Sequence, residues 1–192
     1  MSTHKASSFI KDFFTKFPGI PYIIKWLLIC SIIGILVGSA SAVFLSSLNW
    51  VSTLREQYKW VLFLLPVAGF FIGWMYHHYG KDVEAGNNLI LKAIHKPAEP
   101  IPLKMALFVY AGTILTHSFG GSAGREGTAI QMAGSVSDQL SKPFRLTQDE
   151  RSILLIASVA AGFGSVFGTP LAGAIFGLEV FLIGRIRYNA IF

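Results

Sequence analysis

The fold of this chain is decided by the stretch Gly120-Gly121-Ser122-Ala123-Gly124-Arg125-Glu126-Gly127-Thr128, which separates two apolar segments. Its glycines allow the backbone to adopt positive φ angles and to approach a ligand closely. Helical spacing of apolar residues resumes near Ala129, so the stretch is predicted to be a loop that opens a helix. The first amides of a helix have no intrahelical partner and carry a partial positive charge. The stretch therefore favours the binding of an anion.

Arg125 and Glu126 place two ionisable groups inside a segment with apolar flanks. Charged residues at membrane depth are costly, and they usually mark a functional site. The alternative is structural, with Glu126 favoured by the dipole of the first helical turn and Arg125 as its surface partner. A phosphate-binding loop is not indicated, because its Lys-Ser/Thr end is absent, and no His or Cys stands at metal-ligand spacing. We expect no cofactor and no metal.

Composition indicates a membrane protein that contacts the lipid bilayer. Of the 192 residues, 53% are hydrophobic and only 14% are charged, whereas soluble proteins carry about 25% charged residues. The net charge of +6 does not indicate binding to nucleic acid, because the basic residues form no stripe with aromatic residues. The single cysteine, Cys30, lies in an apolar run and is expected to be a core residue rather than a reactive thiol.

The sequence divides into two parts. Residues 1–20 are predicted to form an amphipathic helix on the cytoplasmic membrane surface, since phenylalanines at helical spacing are interspersed with lysines. Residues 21–192 are predicted to form a membrane domain, with spans over Tyr22 to Leu48 and over about Trp60 to Tyr79. The lysines before the first span indicate a multi-pass protein of the plasma membrane whose N-terminus is cytoplasmic. Glycines four residues apart favour close helix packing in both spans, at Gly34 with Gly38 and at Gly69 with Gly73.

The second half of the chain predicts short helices with breaks between them. They cover Leu89 to Ile94, Leu103 to Thr116, Glu126 to Leu140, Thr147 to about Phe163, and Pro170 to about Ile183, after which Arg185 and Arg187 mark the exit from the bilayer. A helix over Glu126 to Leu140 is only about 22 Å long, against roughly 30 Å of hydrocarbon. Such broken helices are stable in a membrane only inside protein or along a polar cavity. Half-helices that point their N-termini at a midplane site are typical of anion-binding transporters.

These residues resemble the CLC family of chloride channels and transporters. The resemblance rests on residues 120–140 and 160–179, which contain the Gly-Arg-Glu-Gly core and the Pro-Leu-Ala-Gly element. It implies an all-α polytopic membrane fold with broken, partial-depth helices, of which this chain supplies the first of two inverted repeats. It also implies that Glu126 is the external gating glutamate, whose carboxylate competes with the anion and exchanges protons. A homodimer and a C-terminal half with further anion-binding donors are implied as well.

Two departures from the usual family pattern resemble its bacterial fluoride-exporting branch. Thr128 follows the Gly-Arg-Glu-Gly core in place of proline, and Asn87 stands where most members have the selectivity serine. An asparagine amide offers strong N–H donors to a small, heavily hydrated anion. The alternative is that Asn87 only caps a short helix, and which of Asn87 and Asn88 faces the anion stays open. The resemblance gives the anion-binding residues as Gly86, Asn87, Asn88, Gly124, Arg125, Glu126, Gly127 and Thr128.

The internal proton pathway also departs from the family pattern. Members usually carry two adjacent glutamates after the Pro-Leu-Ala-Gly element, and the second one transfers protons. This chain has Glu179 followed by Val180. Glu179 is therefore a possible member of the proton path, with a purely structural role as the alternative.

The sequence as a whole predicts the N-terminal half of a CLC-type anion/proton antiporter that exports fluoride. One alternative is a passive chloride or fluoride channel, and another is a truncated structural or regulatory membrane subunit. An enzyme is not predicted, because no acid orients His117 near Ser122 and no nucleophile-elbow spacing is present. His117 and the pair His77-His78 are expected to be polar residues at the membrane interface.

Overall fold

The chain is described by a computed structural model, which covers residues 19–96 and 99–183. Within these residues it consists of α-helices with one short 3-10 segment and no β-strand, so the all-α prediction is confirmed. The helices are α1 (Ile20–Gln57), α2 (Leu65–Tyr79), α3 (Asn87–His95), α4 (Lys104–Ser118), α5 (Arg125–Asp138), α6 (Gln148–Phe167) and α7 (Pro170–Ile183), and the 3-10 segment (Lys59–Leu64) precedes α2.

Only three of the described segments are long and apolar enough to cross a membrane. They are α1, the 3-10 segment together with α2, and α6. Helices α3, α4, α5 and α7 contain 9, 15, 14 and 14 residues, so the longest of them reaches only about 23 Å. Long and short apolar helices are therefore combined as predicted, except that α6, predicted as one of the short helices of the second half, is long enough to span the membrane.

Several helix limits differ from the sequence prediction. Helix α1 continues to Gln57 rather than ending near Leu48, and its 38 residues measure about 57 Å, so it tilts in the bilayer or extends beyond it. Helix α6 continues past Phe163 to Phe167 and ends at Gly168, whose φ of 66° forms a left-handed C-cap. Cys30 is exposed, which contradicts its assignment to the core.

Helices α5, α6 and α7 cross closely at glycines. A Cβ placed on Gly162 would lie 2.8 Å from Ala133 Cβ, and one on Gly173 would lie 2.9 Å from the Gly164 Cα atom. A side chain does not fit at such distances, so these glycines allow the helix backbones to approach each other. A Cβ placed on any of the glycines predicted to serve close packing in the first two spans would meet no atom of another described element within 4 Å, namely at Gly34, Gly38, Gly69 and Gly73. The packing prediction for those pairs is wrong within the described part of the chain.

A buried ion pair holds Glu99 and Ile101, in the described segment before α4. Arg151 Nε donates to Asp138 Oδ1 at 2.6 Å, and Arg151 Nη2 donates to Asp138 Oδ2 at 2.9 Å. The same carboxylate accepts from Ile101 N at 2.6 Å, and Arg151 Nη2 also donates to Glu99 O at 2.7 Å. One end of α5 and the first turn of α6 thereby hold the segment that leads into α4.

Two predictions lie outside the described residues. The surface helix predicted for residues 1–20 falls almost entirely on residues 1–18, and the predicted membrane exit at Arg185 and Arg187 follows the last described residue.

Candidate anion site

Helix α5 begins with amides that no side chain caps. Its N-cap is Gly124, which has extended backbone angles and makes no side-chain cap hydrogen bond. Thr128 N donates to Gly124 O at 3.3 Å, which closes the first helical turn. The amides of the three residues before Thr128 have no intrahelical partner by helix geometry and carry the positive end of the helix dipole. The predicted loop and helix start are therefore present, and α5 offers N–H donors to an anion.

Helix α3 begins in a similar way beside α5. Its N-cap Gly86 has φ 55° and ψ −126°, a conformation that glycine tolerates, and no side chain caps the helix. A Cβ placed on Gly86 would lie 3.3 Å from Gln131 Nε2 and 3.4 Å from Gln131 Oε1. The loop before α3 therefore lies directly against the side chain of Gln131 on α5.

The two helix starts meet at Asn87 and Gly127. Asn87 Nδ2 would lie 3.3 Å from a Cβ placed on Gly127. Gly127 and Gln131 are four residues apart, so they lie on the same face of α5 and both face the start of α3. Asn88 lies elsewhere, in a groove with Leu91 and the later residues of α3. Of the two asparagines, Asn87 is the one next to the first turn of α5.

Glu126 lies in the same first turn of α5 and is half-buried. Its Oε2 atom would be 3.8 Å from a Cβ placed on Gly124, so the carboxylate bends back toward the start of its own helix. Within the described residues no ion pair joins Arg125 to Glu126, and Arg125 is exposed. The structural alternative with Arg125 as a surface partner is therefore not observed.

Thr128 directs its hydroxyl group toward α4. The residue is 3% exposed, and its Oγ1 atom donates to Gly124 O at 3.0 Å and lies 2.7 Å from Thr113 Oγ1. Because Thr128 donates to Gly124, Thr113 donates to Thr128. Thr113 O in turn accepts from His117 Nδ1 at 3.0 Å. His117 is only 9% exposed, so its ring packs inside the protein.

The remaining predicted residues lie apart from these helix starts. Glu179 is exposed on α7 and has no hydrogen bond or ion pair within the described residues. His77 and His78 lie at the exposed end of α2, and His78 packs against Trp74 with ring centroids 5.0 Å apart. Among the described residues no cluster of metal-binding side chains is present.

Sequence analysis missed Gln131. Its carboxamide supplies the atoms nearest to a Cβ placed on Gly86, although Gln131 is absent from the predicted anion-binding residues. The available signal was its four-residue spacing from Gly127, which places a polar side chain on the same helix face.

The chain is similar to known anion transporters and channels. The sequence model of the family described as voltage gated chloride channel matches residues 68–192. The chain is 55% identical over 173 residues to the chloride/fluoride channel protein of Pseudomonas syringae pv. tomato, which covers 90% of this chain and 38% of that protein. It is 28% identical over 184 residues to the H(+)/Cl(-) exchange transporter ClcA of Klebsiella pneumoniae strain 342, covering 86% of this chain and 38% of that protein.

A solved structure shows the same fold. The crystal structure of a CLC-type fluoride/proton antiporter matches with a TM-score of 0.77 and 37% sequence identity, over 82% of this chain and 40% of that chain. The chain therefore spans about two-fifths of the length of these relatives.

Proposed function

Because the chain belongs to the voltage-gated chloride channel (CLC) family, we propose that it forms part of the anion pathway of a fluoride/proton antiporter. The meeting of two uncapped helix starts at Asn87 and Gly127, beside the carboxylate of Glu126, carries this proposal. The similarity to a chloride/fluoride channel protein and to a fluoride/proton antiporter supports fluoride as the anion. The protein is multi-pass, and we assign it to the plasma membrane with a cytoplasmic N-terminus.

In the proposed mechanism the anion binds between the starts of α3 and α5. The amides of Arg125, Glu126 and Gly127 and the Asn87 carboxamide donate hydrogen bonds to it, which replaces part of its hydration shell. At the start of α3 the amides of Asn88 and Leu89 already donate to Ala85 O and Gly86 O. Gly86, Gly124 and Gly127 keep these donors free of side chains, and Arg125 adds positive charge at the start of α5. Glu126 as a carboxylate competes for the same amides, and when protonated it leaves the site. This exchange couples proton movement to anion movement.

Other predicted residues have supporting roles in this proposal. The Thr128 hydroxyl group bonds to Gly124 O and to Thr113 Oγ1, and these bonds hold the start of α5 against α4. Thr128 belongs to the anion site because it lies in the first turn of α5. In this proposal Glu179 belongs to the proton path, which then runs along α7. Because the chain spans 38% of the Pseudomonas relative, we propose that further donors come from a C-terminal half and that the transporter is a homodimer.

The proposal is tested in a complete transporter. Residues 1–192 are joined to the remaining part of the Pseudomonas relative, the product is reconstituted in vesicles, and fluoride and chloride are followed with ion-selective electrodes. We expect a proton gradient to drive fluoride against its own gradient, with much slower movement of chloride. Fluoride movement down its own gradient at a rate independent of the proton gradient would establish a passive channel instead. Absence of any anion movement would support the structural-subunit alternative, and the 192-residue chain alone is expected to give no fluoride-selective efflux.

Replacing Asn87 by serine is expected to reduce the preference for fluoride over chloride. A hydrogen bond to a charged group contributes about 1.5–3 kcal/mol. Serine keeps a hydroxyl donor on a shorter side chain, so we expect a decrease of up to about tenfold in the fluoride-to-chloride rate ratio. Both rates are measured in the same vesicles. Asn49→Ser, at an exposed position of α1, is the matched control and should leave the ratio unchanged. A change caused by Asn88→Ser and not by Asn87→Ser would show that the wrong asparagine has been assigned.

A further inference from the structure

Two buried hydroxyl groups join α4 to the start of α5. Thr113 on α4 is 5% exposed and Thr128 on α5 is 3% exposed. Their Oγ1 atoms are 2.7 Å apart, and Thr128 Oγ1 donates to Gly124 O at 3.0 Å. A threonine hydroxyl has one proton, and that of Thr128 is used for Gly124 O. Thr113 therefore donates the hydrogen bond between the two hydroxyls, and it forms no other side-chain hydrogen bond with the described residues.

The single hydroxyl proton of Thr128 also determines how this residue can act on an anion. Because the proton points at Gly124 O, the hydroxyl has no donor left for an anion beside Asn87. Thr128 N donates to the same carbonyl at 3.3 Å, which is longer than the usual distance of about 2.9–3.0 Å. The hydroxyl bond is thus the shorter of the two bonds by which Thr128 holds the Gly124 carbonyl.

The Gly124 carbonyl belongs to the peptide unit that presents the Arg125 amide. This unit is planar and trans, so its C=O and N–H groups point in opposite directions. Because Thr128 holds the carbonyl along the helix, the Arg125 N–H points out of the helix start, where it has no intrahelical acceptor. The same peptide unit lies beside the carboxylate of the site, since Glu126 Oε2 would be 3.8 Å from a Cβ placed on Gly124.

We propose that Thr113 is a positioning residue for the candidate anion site. It acts on the Arg125 amide through Thr128 and the Gly124 carbonyl. The inference rests on the proposed function and adds a residue of α4 to it. Donation by Thr113 fixes the rotation of the Thr128 hydroxyl, so that its proton stays on Gly124 O. Hydrogen bonds in a chain polarise one another, so the peptide unit whose carbonyl accepts this bond offers the anion a stronger and better oriented N–H donor.

The test measures the dissociation constant of fluoride by titration calorimetry. It uses the complete transporter with Glu126→Gln, in which no carboxylate competes for the amides. Thr113→Val keeps the shape of the side chain and removes the hydroxyl, and we expect it to raise the dissociation constant about threefold to fivefold. Thr128→Val removes the bond to Gly124 O itself and should raise it about fivefold to tenfold. Thr113→Ser keeps the donor and should change it by less than about twofold.

A double variant separates action through Thr128 from an independent effect of Thr113. If Thr113 acts only through Thr128, then Thr113→Val/Thr128→Val should bind fluoride as Thr128→Val alone does, within about twofold. Multiplication of the two single effects would show that Thr113 acts on the site by another route and would overturn the proposal. A lower melting temperature of Thr113→Val with an unchanged dissociation constant would assign Thr113 to helix packing and would overturn it as well.

Thr116 provides a matched control on the same helix. Its hydroxyl donates to Gly112 O at 2.7 Å within α4, and it forms no hydrogen bond with α5 among the described residues. Thr116→Val should therefore change the dissociation constant by less than about twofold. A rise equal to that of Thr113→Val would reveal a general effect of valine in α4 and would contradict the proposal. If Thr113→Val does not fold, the comparison of Thr113→Ala with Thr113→Ser takes its place.

The failure of this inference is distinguishable from the failure of the proposed function. Absence of fluoride transport by the unchanged transporter, together with absence of fluoride binding, would overturn both. Normal fluoride transport and binding, with a dissociation constant that Thr113→Val leaves unchanged, would overturn this inference alone.

Discussion

Glu126→Gln in the complete transporter is expected to reduce proton-driven fluoride accumulation to the level of empty vesicles. The carboxylate bends toward the start of its own helix, with Oε2 3.8 Å from the position of a Cβ on Gly124. A carboxylate at this place competes with an anion for the amides, and it leaves when it binds a proton. Glutamine has a similar shape but carries neither a charge nor an ionisable proton at working pH. It therefore cannot couple the two movements.

The measurement uses vesicles with an acidic interior, and therefore an outward proton gradient, and no fluoride gradient, because an antiporter takes up fluoride as protons leave. Fluoride accumulation and proton movement are recorded together, and Glu56→Gln at an exposed position of α1 is the matched control. Downhill fluoride movement by the Glu126 variant agrees with the assignment, because coupling and permeation are separate properties. Continued accumulation of fluoride against its gradient by Glu126→Gln would show that another residue carries the proton.

Asp138→Asn is expected to lower the free energy of unfolding by about 3–5 kcal/mol, the usual cost of leaving one partner of a buried ion pair unpaired. Arg151 is 7% exposed and Asp138 is 2% exposed. The carboxylate accepts two hydrogen bonds from the Arg151 guanidinium and one from Ile101 N. With asparagine the Arg151 charge stays buried without a counter-charge. The effect is measured as the shift of the unfolding midpoint in detergent.

Two further variants test whether the loss of stability in Asp138→Asn comes from the buried charge. Asp82→Asn breaks the ion pair of Asp82 and Lys104, whose side chains are 51% and 41% exposed, and it should cost less than about 1 kcal/mol. The double variant Asp138→Leu/Arg151→Met removes both buried charges and should recover much of the lost stability. A loss from Asp138→Asn as small as that from Asp82→Asn would contradict the structural role assigned to the buried pair.

The comparison of the two ion pairs is made at neutral pH. The hydrogen bond from Lys104 lowers the pKa of the Asp82 carboxyl below its ordinary value of 3.8. A lowered pKa contributes stability above the ordinary value, and this contribution disappears as the pH falls through the lowered pKa. At pH 7 the Asp82 pair therefore makes its full, small contribution.

The local signals in the sequence predicted the helices well. The capping box at Thr147 and Glu150 is present at the start of α6, and α5 and α7 begin at Arg125 and Pro170, next to the predicted positions. Caps, prolines and glycine loops act on the first turn of a helix, so neighbouring residues are sufficient to predict them. The composition predicted a membrane protein because the hydrocarbon core of the bilayer favours apolar side chains over whole segments.

The sequence by itself thus determined the all-α membrane fold, the helix starts and the residues of the Gly-Arg-Glu-Gly core. Only the tertiary structure decided which asparagine lies next to that core, that Gln131 packs against Gly86, and that Asp138 and Arg151 hold the segment before α4. The Arg151 bond to Glu99 O joins residues 52 positions apart. Such contacts leave no periodic pattern along the chain, because the packing of separate helices brings the residues together, and no turn or helical spacing encodes the pairing.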